Sequence, residues 1–449
     1  MRELFGTDGI RGKANTYPIT PEVALQVGKA IAHVFSAQGH GSARAVIGKD
    51  TRLSGYMIET ALTSGIVSMG MDVFAVGPMP TPAVAHLTKS MCAKCGIMIT
   101  ASHNPSDDNG IKVFSSDGFK LPDEIELDIE THVLGGEITS EHIGTHLLGK
   151  AYRIEDARGR YIEFAKSSIK NRDLKGLKIV LDCANGAAYF LAPLIFRELG
   201  ATVKTIGVSP DGFNINENCG ATHTEALRDE VLKTGSDVGI ALDGDADRVI
   251  FCDAKGRIVN GDKILGICAM DFAERKKLSR NTVVVTTMSN LGLIDALNKA
   301  GISVEISDVG DRYVIEKMRA QQLNLGGEQS GHLIFMDYAT TGDGIISALH
   351  VMNLMISKGK ALHELTNFMK EFPQKLTSVD VKEKIPIEKI PSLAEEIKKC
   401  EKDLGKDGRI IVRYSGTENK IRTLIEASSD RKVEGWMDKI NSVIKRELT

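Results

Sequence analysis

The stretch Leu177-Lys-Ile-Val-Leu-Asp182, followed by residues 187–199 and by Ala201-Thr-Val-Lys-Thr-Ile206, decides the fold class. The first and last segments are short apolar runs of strand length, and 187–199 carries apolar residues at helical spacing. Strands separated by a helix of about 10–15 residues make a βαβ unit and a parallel sheet. The alternation recurs upstream. Residues 21–37 have helical periodicity opened by Thr20 and Pro21, Ala45 to Lys49 reads as a strand, and 57–70 as a helix. Asp72 to Val76 and Gly96 to Thr100 read as further strands, and the pattern returns at 282–287, 291–300 and 302–306. Three consecutive α/β domains with mixed, largely parallel sheets are expected. After Phe372-Pro373 the texture changes: 380–408 is rich in Lys and Glu, and Ile410-Ile-Val-Arg413 and Arg422-Thr-Leu-Ile-Glu-Ala427 read as strands round a polar loop. A smaller α+β domain closes the chain. The expected limits are 1–154, 155–256, 257–371 and 372–449.

Composition agrees with this reading. The 449 residues are 42% hydrophobic and 26% charged, which suits a globular protein and excludes disorder or coiled coil as the main architecture. A net charge of -3 gives no bulk attraction to nucleic acid or to an anionic membrane. The N-terminus lacks a signal-peptide core, and no run of about 18 apolar residues occurs, so a cytoplasmic chain is expected. Seven cysteines spread from Cys92 to Cys400 make no disulfide framework. Cys92-Ala-Lys-Cys95 has the C-x-x-C form but no second pair beside it, so ordinary thiols are expected rather than a redox or zinc site.

Nucleotide motifs fail. Near Gly48-Lys49 a P-loop would need Ser or Thr where Asp50 stands, and Thr341-Gly-Asp-Gly-Ile-Ile-Ser347 ends in serine and follows no clear strand. Asp243-Gly-Asp245-Ala-Asp247-Arg248, between the apolar runs Val238–Leu242 and Val249–Phe251, is the sharpest signal. Carboxylates at i, i+2 and i+4 round a glycine converge on a cation. A calcium loop would need glycine and glutamate where Arg248 and Ala254 stand, so Mg²⁺ fits better, with a solvated acidic turn as the alternative. Ser102, between Thr100-Ala and His103-Asn-Pro105, has its hydroxyl at a strand end, placed for transfer chemistry or for a helix cap. Lys112, in Asn109-Gly-Ile-Lys112, is suited to proton transfer or phosphate binding. Gly326-Gly-Glu328-Gln329-Ser330-Gly-His332 offers donors and acceptors suited to hydroxyl groups. Arg413-Tyr-Ser415-Gly416-Thr417-Glu-Asn419, with Arg422, has the donors of a phosphate cradle.

Together these motifs, with Phe5-Gly-Thr-Asp-Gly-Ile-Arg11-Gly at the start, resemble the α-D-phosphohexomutase family over essentially the whole chain. The resemblance implies four domains round a central cleft. It matches Ser102 to the phosphoserine, and Asp243, Asp245 and Asp247 to the Mg²⁺ ligands, with phosphorylated Ser102 completing the set. Glu328 and Ser330 match the sugar loop. Arg413, Ser415, Gly416 and Thr417 match the loop for the phosphate that is not transferred. Arg11, His103, Lys112, Arg248 and His332 match positions lining the reacting phosphate. Gln329, where hexose mutases more often carry methionine, points to the branch acting on glucosamine phosphates, which supplies amino-sugar nucleotides and cell-wall precursors.

A phosphoserine adds about -2 to the -3 of the aspartates, so the cation and the five basic residues are needed before a sugar phosphate can approach. The implied reaction moves the phosphoryl from Ser102 to the sugar O1, turns the 1,6-bisphosphate end for end, and returns the 6-phosphoryl to Ser102. Lys112 is the expected general base and His103 the second choice. Rival readings are a glucose or mannose phosphate mutase of the same mechanism and a metal-dependent sugar phosphatase, the latter disfavoured because it needs no second phosphate cradle. A homodimer is compatible with the sequence, which does not fix the oligomeric state.

Overall fold

The structure, a computed structural model, describes residues 3–6, 8–36, 43–136, 138, 143–415 and 419–449. The chain forms two compact units: one comprises the residues up to Met288 with Gly301–Asn367, the other Ser289–Ala300 with Phe368–Thr449.

Three sheets lie in the first unit. The first contains β1 (Phe5–Gly6), β2 (Gly9–Lys13), β3 (Arg44–Lys49), β4 (Asp72–Pro78), β5 (Cys95–Ile99), β6 (Asp108–Ser115) and β7 (Ala151–Arg153) in the order β1-β2-β6-β5-β3-β4-β7. The second contains β8 (Lys178–Asp182), β9 (Thr202–Ile206), β10 (Val238–Leu242), β11 (Val249–Asp253) and β12 (Ile258–Val259) in the order β12-β11-β10-β8-β9. The third is β14-β13-β15-β16, from β13 (Thr282–Thr286), β14 (Ser303–Ser307), β15 (Leu325–Gly327) and β16 (Leu333–Phe335). Strands such as β10 are apolar throughout because both faces are covered, and every residue of β10 is buried. Ile47, Ile97 and Ile99 of β3 and β5 join Ile31, Ile58 and Leu62 of the flanking helices in one core. Each such fully buried side chain contributes roughly 1.5–3 kcal/mol relative to exposure.

Parallel pairing is less dominant than the βαβ pattern implies. β5-β3-β4-β7, β10-β8-β9 and β14-β13-β15 are parallel, whereas β1-β2-β6-β5, β12-β11-β10 and β15-β16 are antiparallel. Short loops can join only antiparallel neighbours, and the loops β5–β6, β10–β11 and β15–β16 are the ones that carry Ser102, Asp243–Asp247 and Glu328–His332. Element ends also move. The helix expected over 187–199 begins at Leu191, because Ala184 and Asn185 take positive φ in the turn before it. The segment at Thr341 that partly resembles a nucleotide loop is a helix start: Asp343 accepts from the amides of Ile345 and Ile346 and caps Gly344–Lys358.

The second unit has an antiparallel sheet, β17-β19-β18, built from β17 (Gln374–Asp380), β18 (Gly408–Tyr414) and β19 (Lys420–Ala427). Helices Pro391–Leu404 and Asp430–Leu448 cover it through Leu393, Cys400, Ile421, Ile425, Met437 and Ile440. The helix Leu291–Lys299 also belongs here, although it falls within the expected third domain: Asn290 exchanges hydrogen bonds with the backbone of Phe372, and Glu426 accepts from the Leu291 amide at 3.2 Å. All seven cysteines are free, and burial pushes the Cys95 thiol up to about 12.

Candidate active site

Ser102 follows β5 with φ of 51°, and its amide donates to Thr100 Oγ1 at 2.9 Å. The turn is held from outside. Arg52, fully buried, donates to the carbonyls of Ser102 at 3.1 Å and Asn104 at 2.8 Å, and Asp50 fixes the guanidinium at 2.9 Å. Asn216 donates to the same Ser102 carbonyl at 2.9 Å. Gly244 is required beside it, since a Cβ there would stand 2.5 Å from that oxygen. The Ser102 hydroxyl is thereby delivered to the aspartate loop, where it donates to Asp243 Oδ2 at 2.6 Å.

The loop from Asp243 to Arg248 joins β10 to β11, with Ala246 at φ 58°. All three aspartates are buried, and one carboxylate oxygen of each lies within 4.8 Å of the others. Thr81 Oγ1 donates to Asp245 Oδ2 at 2.6 Å, and Lys112 Nζ lies 3.0 Å from that oxygen and 3.4 Å from Asp247 Oδ2. Burial, then the charges of Asp247 and Asp245, push the Asp243 carboxyl well above the usual carboxylate range. Asp245 Oδ1 and Asp247 Oδ1 are buried without a hydrogen-bond partner. Hard oxygen donors crowded at this spacing, two of them unsatisfied, fit a divalent cation such as Mg²⁺. Among the described residues this is the only such cluster of three or more metal-ligating side chains.

Cations surround it. Burial alone would lower the pKa of Lys112, but Asp245, Asp8 and Asp247 outweigh burial and raise it above the ordinary lysine range. With these neighbours Lys112 holds its proton and donates to Asp245. Asp8 also pairs with Arg11 and Lys120, and Lys120 pairs with Asp311. Arg248 Nη1 donates to His103 Nδ1 at 3.1 Å, and that nitrogen is 3.3 Å from Ser102 Oγ. Burial, then Arg248 and Arg11, lower the His103 pKa to about 4, so the ring is neutral at pH 7. His332 Nδ1 lies 3.6 Å from Asp247 Oδ1, and its Nε2 accepts from the Gly342 amide at 3.0 Å. In the same loop Glu328 accepts from the Gly310 amide at 3.0 Å, while Gln329 is half-buried and Ser330 exposed.

The structure thus brings Ser102, His103, Lys112, Arg11, Arg248, His332 and the three aspartates into one network. It adds residues that the sequence reading did not single out as functional: Asp8, Lys120, Asp311, Arg52, Asp50, Asn216 and Thr81. Asp8 lies inside the quoted N-terminal motif, and Asp50 and Arg52 adjoin the failed P-loop. The others carry no local signal.

In the second unit, Arg413 of β18 stands directly opposite Arg422 of β19. Burial and the Arg422 charge lower the Arg413 pKa. Ser415 is buried, with its amide donating to the Lys420 carbonyl at 2.8 Å and its own carbonyl accepting from Lys384 Nζ at 2.8 Å. Asn419 is exposed and its carbonyl accepts from the Val381 amide. Gly416 and Thr417 lie outside the described residues. Like charges facing each other across strands are destabilising unless an anion lies between them.

A buried serine hydroxyl beside an acidic loop that could hold a metal, with two facing guanidiniums elsewhere in the chain, points to the class, and comparison with known proteins agrees. Residues 2–138, 159–256, 260–372 and 376–443 match, in that order, the phosphoglucomutase/phosphomannomutase alpha/beta/alpha domains I, II and III and the C-terminal domain. The chain belongs to the phosphoglucomutase/phosphomannomutase family. Relatives named phosphoglucosamine mutase include one from Geotalea daltonii, 53% identical over 100% of this chain and 99% of its own length. One from Geobacter sp. is 52% identical with the same coverage. The fold is also that of a family protein from Burkholderia thailandensis, at a TM-score of 0.81 and 24% identity, covering 99% of this chain and 97% of the other. It is shared with an N-acetylphosphoglucosamine mutase of Aspergillus fumigatus solved with GlcNAc-6P and magnesium, at a TM-score of 0.68 and 18% identity, covering 100% and 96%.

Proposed function

We propose that this chain has the activity of a phosphoglucosamine mutase, interconverting glucosamine 6-phosphate and glucosamine 1-phosphate. The observation that carries the reading is the Ser102 hydroxyl, 2.6 Å from a carboxylate of the acidic cluster. A hydroxyl in that place has no use in simple sugar binding, whereas a phosphoryl on it would meet a cation and four basic side chains. The relatives at 52–53% identity support the amino-sugar substrate.

Asp243, Asp245 and Asp247 would hold Mg²⁺, which neutralises phosphoryl charge when bound. Phosphorylated Ser102 gives up its phosphoryl as the Oγ–P bond breaks and the bond to the sugar O1 forms. Lys112, having first released its own proton to solvent, accepts the O1 proton; His103 is the second choice. Arg11, Arg248 and His332 hold the transferring group, and Glu328, Gln329 and Ser330 bind the sugar hydroxyls and amino group. Arg413, Ser415, Gly416, Thr417, Asn419 and Arg422 grip the phosphate at the far end. The 1,6-bisphosphate then reorients and returns its 6-phosphoryl to Ser102. We place this chemistry in the cytoplasm.

Assay of the purified protein on glucosamine, glucose and mannose phosphates tests the reading. The highest kcat/KM is expected for glucosamine phosphate, and Gln329→Met should shift preference modestly toward glucose phosphate. A wild-type preference for mannose phosphate would overturn the substrate and leave the family intact.

A further inference from the structure

The chains that leave the parallel neighbours β3 and β5 run side by side, and the Asp50 amide donates to the Ile99 carbonyl at 3.0 Å. Beyond that bond four residues close a ring. The Ser102 amide donates to Thr100 Oγ1 at 2.9 Å, and Thr100 Oγ1 donates to Asp50 Oδ2 at 2.7 Å. Arg52 Nε donates to the same carboxylate oxygen at 2.9 Å, and Arg52 Nη2 returns to the Ser102 carbonyl at 3.1 Å. One set of buried side chains thus fixes both backbone polar groups of Ser102.

The features of this ring suit positioning rather than bulk stability. Ser102 has φ of 51°, a region costly for a residue with a Cβ and kept only where the surroundings over-determine it. A buried ion pair such as Asp50–Arg52 gains little stability over apolar residues of the same volume. The other guanidinium bonds go to the same turn: Nη2 to the Asn104 carbonyl at 2.8 Å, and Nη1 to the carbonyls of Pro105 and, at 3.0 Å, of Asp108. The pair is formally neutral, so it adds no net charge beside the aspartates.

We propose that Thr100 is a positioning residue for phosphoryl transfer: its hydroxyl, linking the Ser102 amide to the Asp50–Arg52 pair, holds Ser102 Oγ against the aspartate loop. The proposal rests on Ser102 as the phosphoryl carrier. Misplacing a reacting atom by about 1 Å costs roughly 10²-fold in rate. Thr100 is fully buried and meets no substrate, so the loss falls on kcat.

Thr100→Val keeps the volume and removes the hydroxyl. On glucosamine 6-phosphate it should lower kcat by about 10–100-fold with no rise in KM, and Thr100→Ser should recover most of the lost rate. Arg52→Lys keeps the charge beside Asp50 but lacks the planar fork, and should show the same split; it decides if the valine variant fails to fold. A crystal structure of Thr100→Val should show Ser102 Oγ moved out of hydrogen-bond reach of Asp243. That structure decides the role of the ring even where activity cannot: a wild type inactive on every sugar phosphate would sink the proposed function, and an unmoved Ser102 would sink the ring. A kcat within about threefold of wild type, a loss expressed only as a higher KM, or a serine variant no faster than the valine variant would each overturn the proposal.

Discussion

The three aspartates between β10 and β11, and Arg413 and Arg422 facing each other on β18 and β19, are like-charged groups held in different surroundings. Each set lies between antiparallel neighbours, and each brings like charges close together. The aspartates are buried: Thr81 and Lys112 hold Asp245 Oδ2, and the Arg248 amide and the Ser102 hydroxyl hold the two oxygens of Asp243. In the hairpin, Arg413 is half-buried and faces Arg422 across the strands. Chemistry at a reacting atom requires a fixed geometry, and burial supplies it at a cost in charge repulsion. Capture of a phosphate that later leaves requires donors near solvent. The roles proposed for the two sets of residues divide along that line.

The largest effect should come on the buried side. Intact mass of the wild type should show a phosphorylated fraction, and Ser102→Ala should remove it and lower turnover by on the order of 10⁴-fold or more. Activity like the wild type would end the phosphoserine mechanism. Chelation should abolish activity and added Mg²⁺ restore it, and Asp245→Asn should raise the Mg²⁺ concentration needed by about 10–100-fold or more. Full turnover after exhaustive chelation would make the cluster a structural turn.

The cost of burial can be measured at Asp343. Burial raises its pKa to about 6, against the lowering effect of Ile346, Tyr161 and Ile345. A carboxyl that binds its proton more tightly when folded gives its full stabilisation below about pH 4, and loses it as pH rises through 6. Asp343→Asn keeps an acceptor for the cap without the charge. Urea unfolding should find it more stable than wild type at pH 8 by up to about 3 kcal/mol, with the advantage vanishing towards pH 4. An equal gain at both pH values would refute the titration account.

On the hairpin side, Arg413→Ala should cost about 2–3 kcal/mol of phosphate binding, a rise in KM of roughly 30- to 150-fold. Phosphorylation of Ser102 should survive, and added bisphosphate should become necessary for sustained turnover. An unchanged KM would remove the contrast between the two loops. The smallest effect is on stability: Arg413→Thr relieves the facing charges and should stabilise the second unit by about 0.2–1 kcal/mol in thermal unfolding. A loss of stability would mean the arginine pair is structural.

The aspartate triplet, Ser102 and the hairpin arginines were legible because their chemistry needs several groups within a few residues. Arg52 and Asn216 were not, since they act on the Ser102 carbonyl from 50 and 114 residues away. β6 was hidden for a related reason. Its Asn109 and Lys112 are polar yet buried in the service of the site, which breaks the apolar run by which a central strand is recognised. Antiparallel pairing went unread along with it, because Ser102-His-Asn-Pro105 is spelled for function rather than as a hairpin turn.

The central claim is that Ser102 carries the phosphoryl that moves between O6 and O1. Protein labelled with ³²P on Ser102, mixed in a single turnover with unlabelled glucosamine 6-phosphate, tests it directly. Label should pass to a sugar bisphosphate and then to sugar monophosphate, with little free phosphate. Label released mainly as inorganic phosphate, or retained on the protein while sugar isomerises, would contradict it.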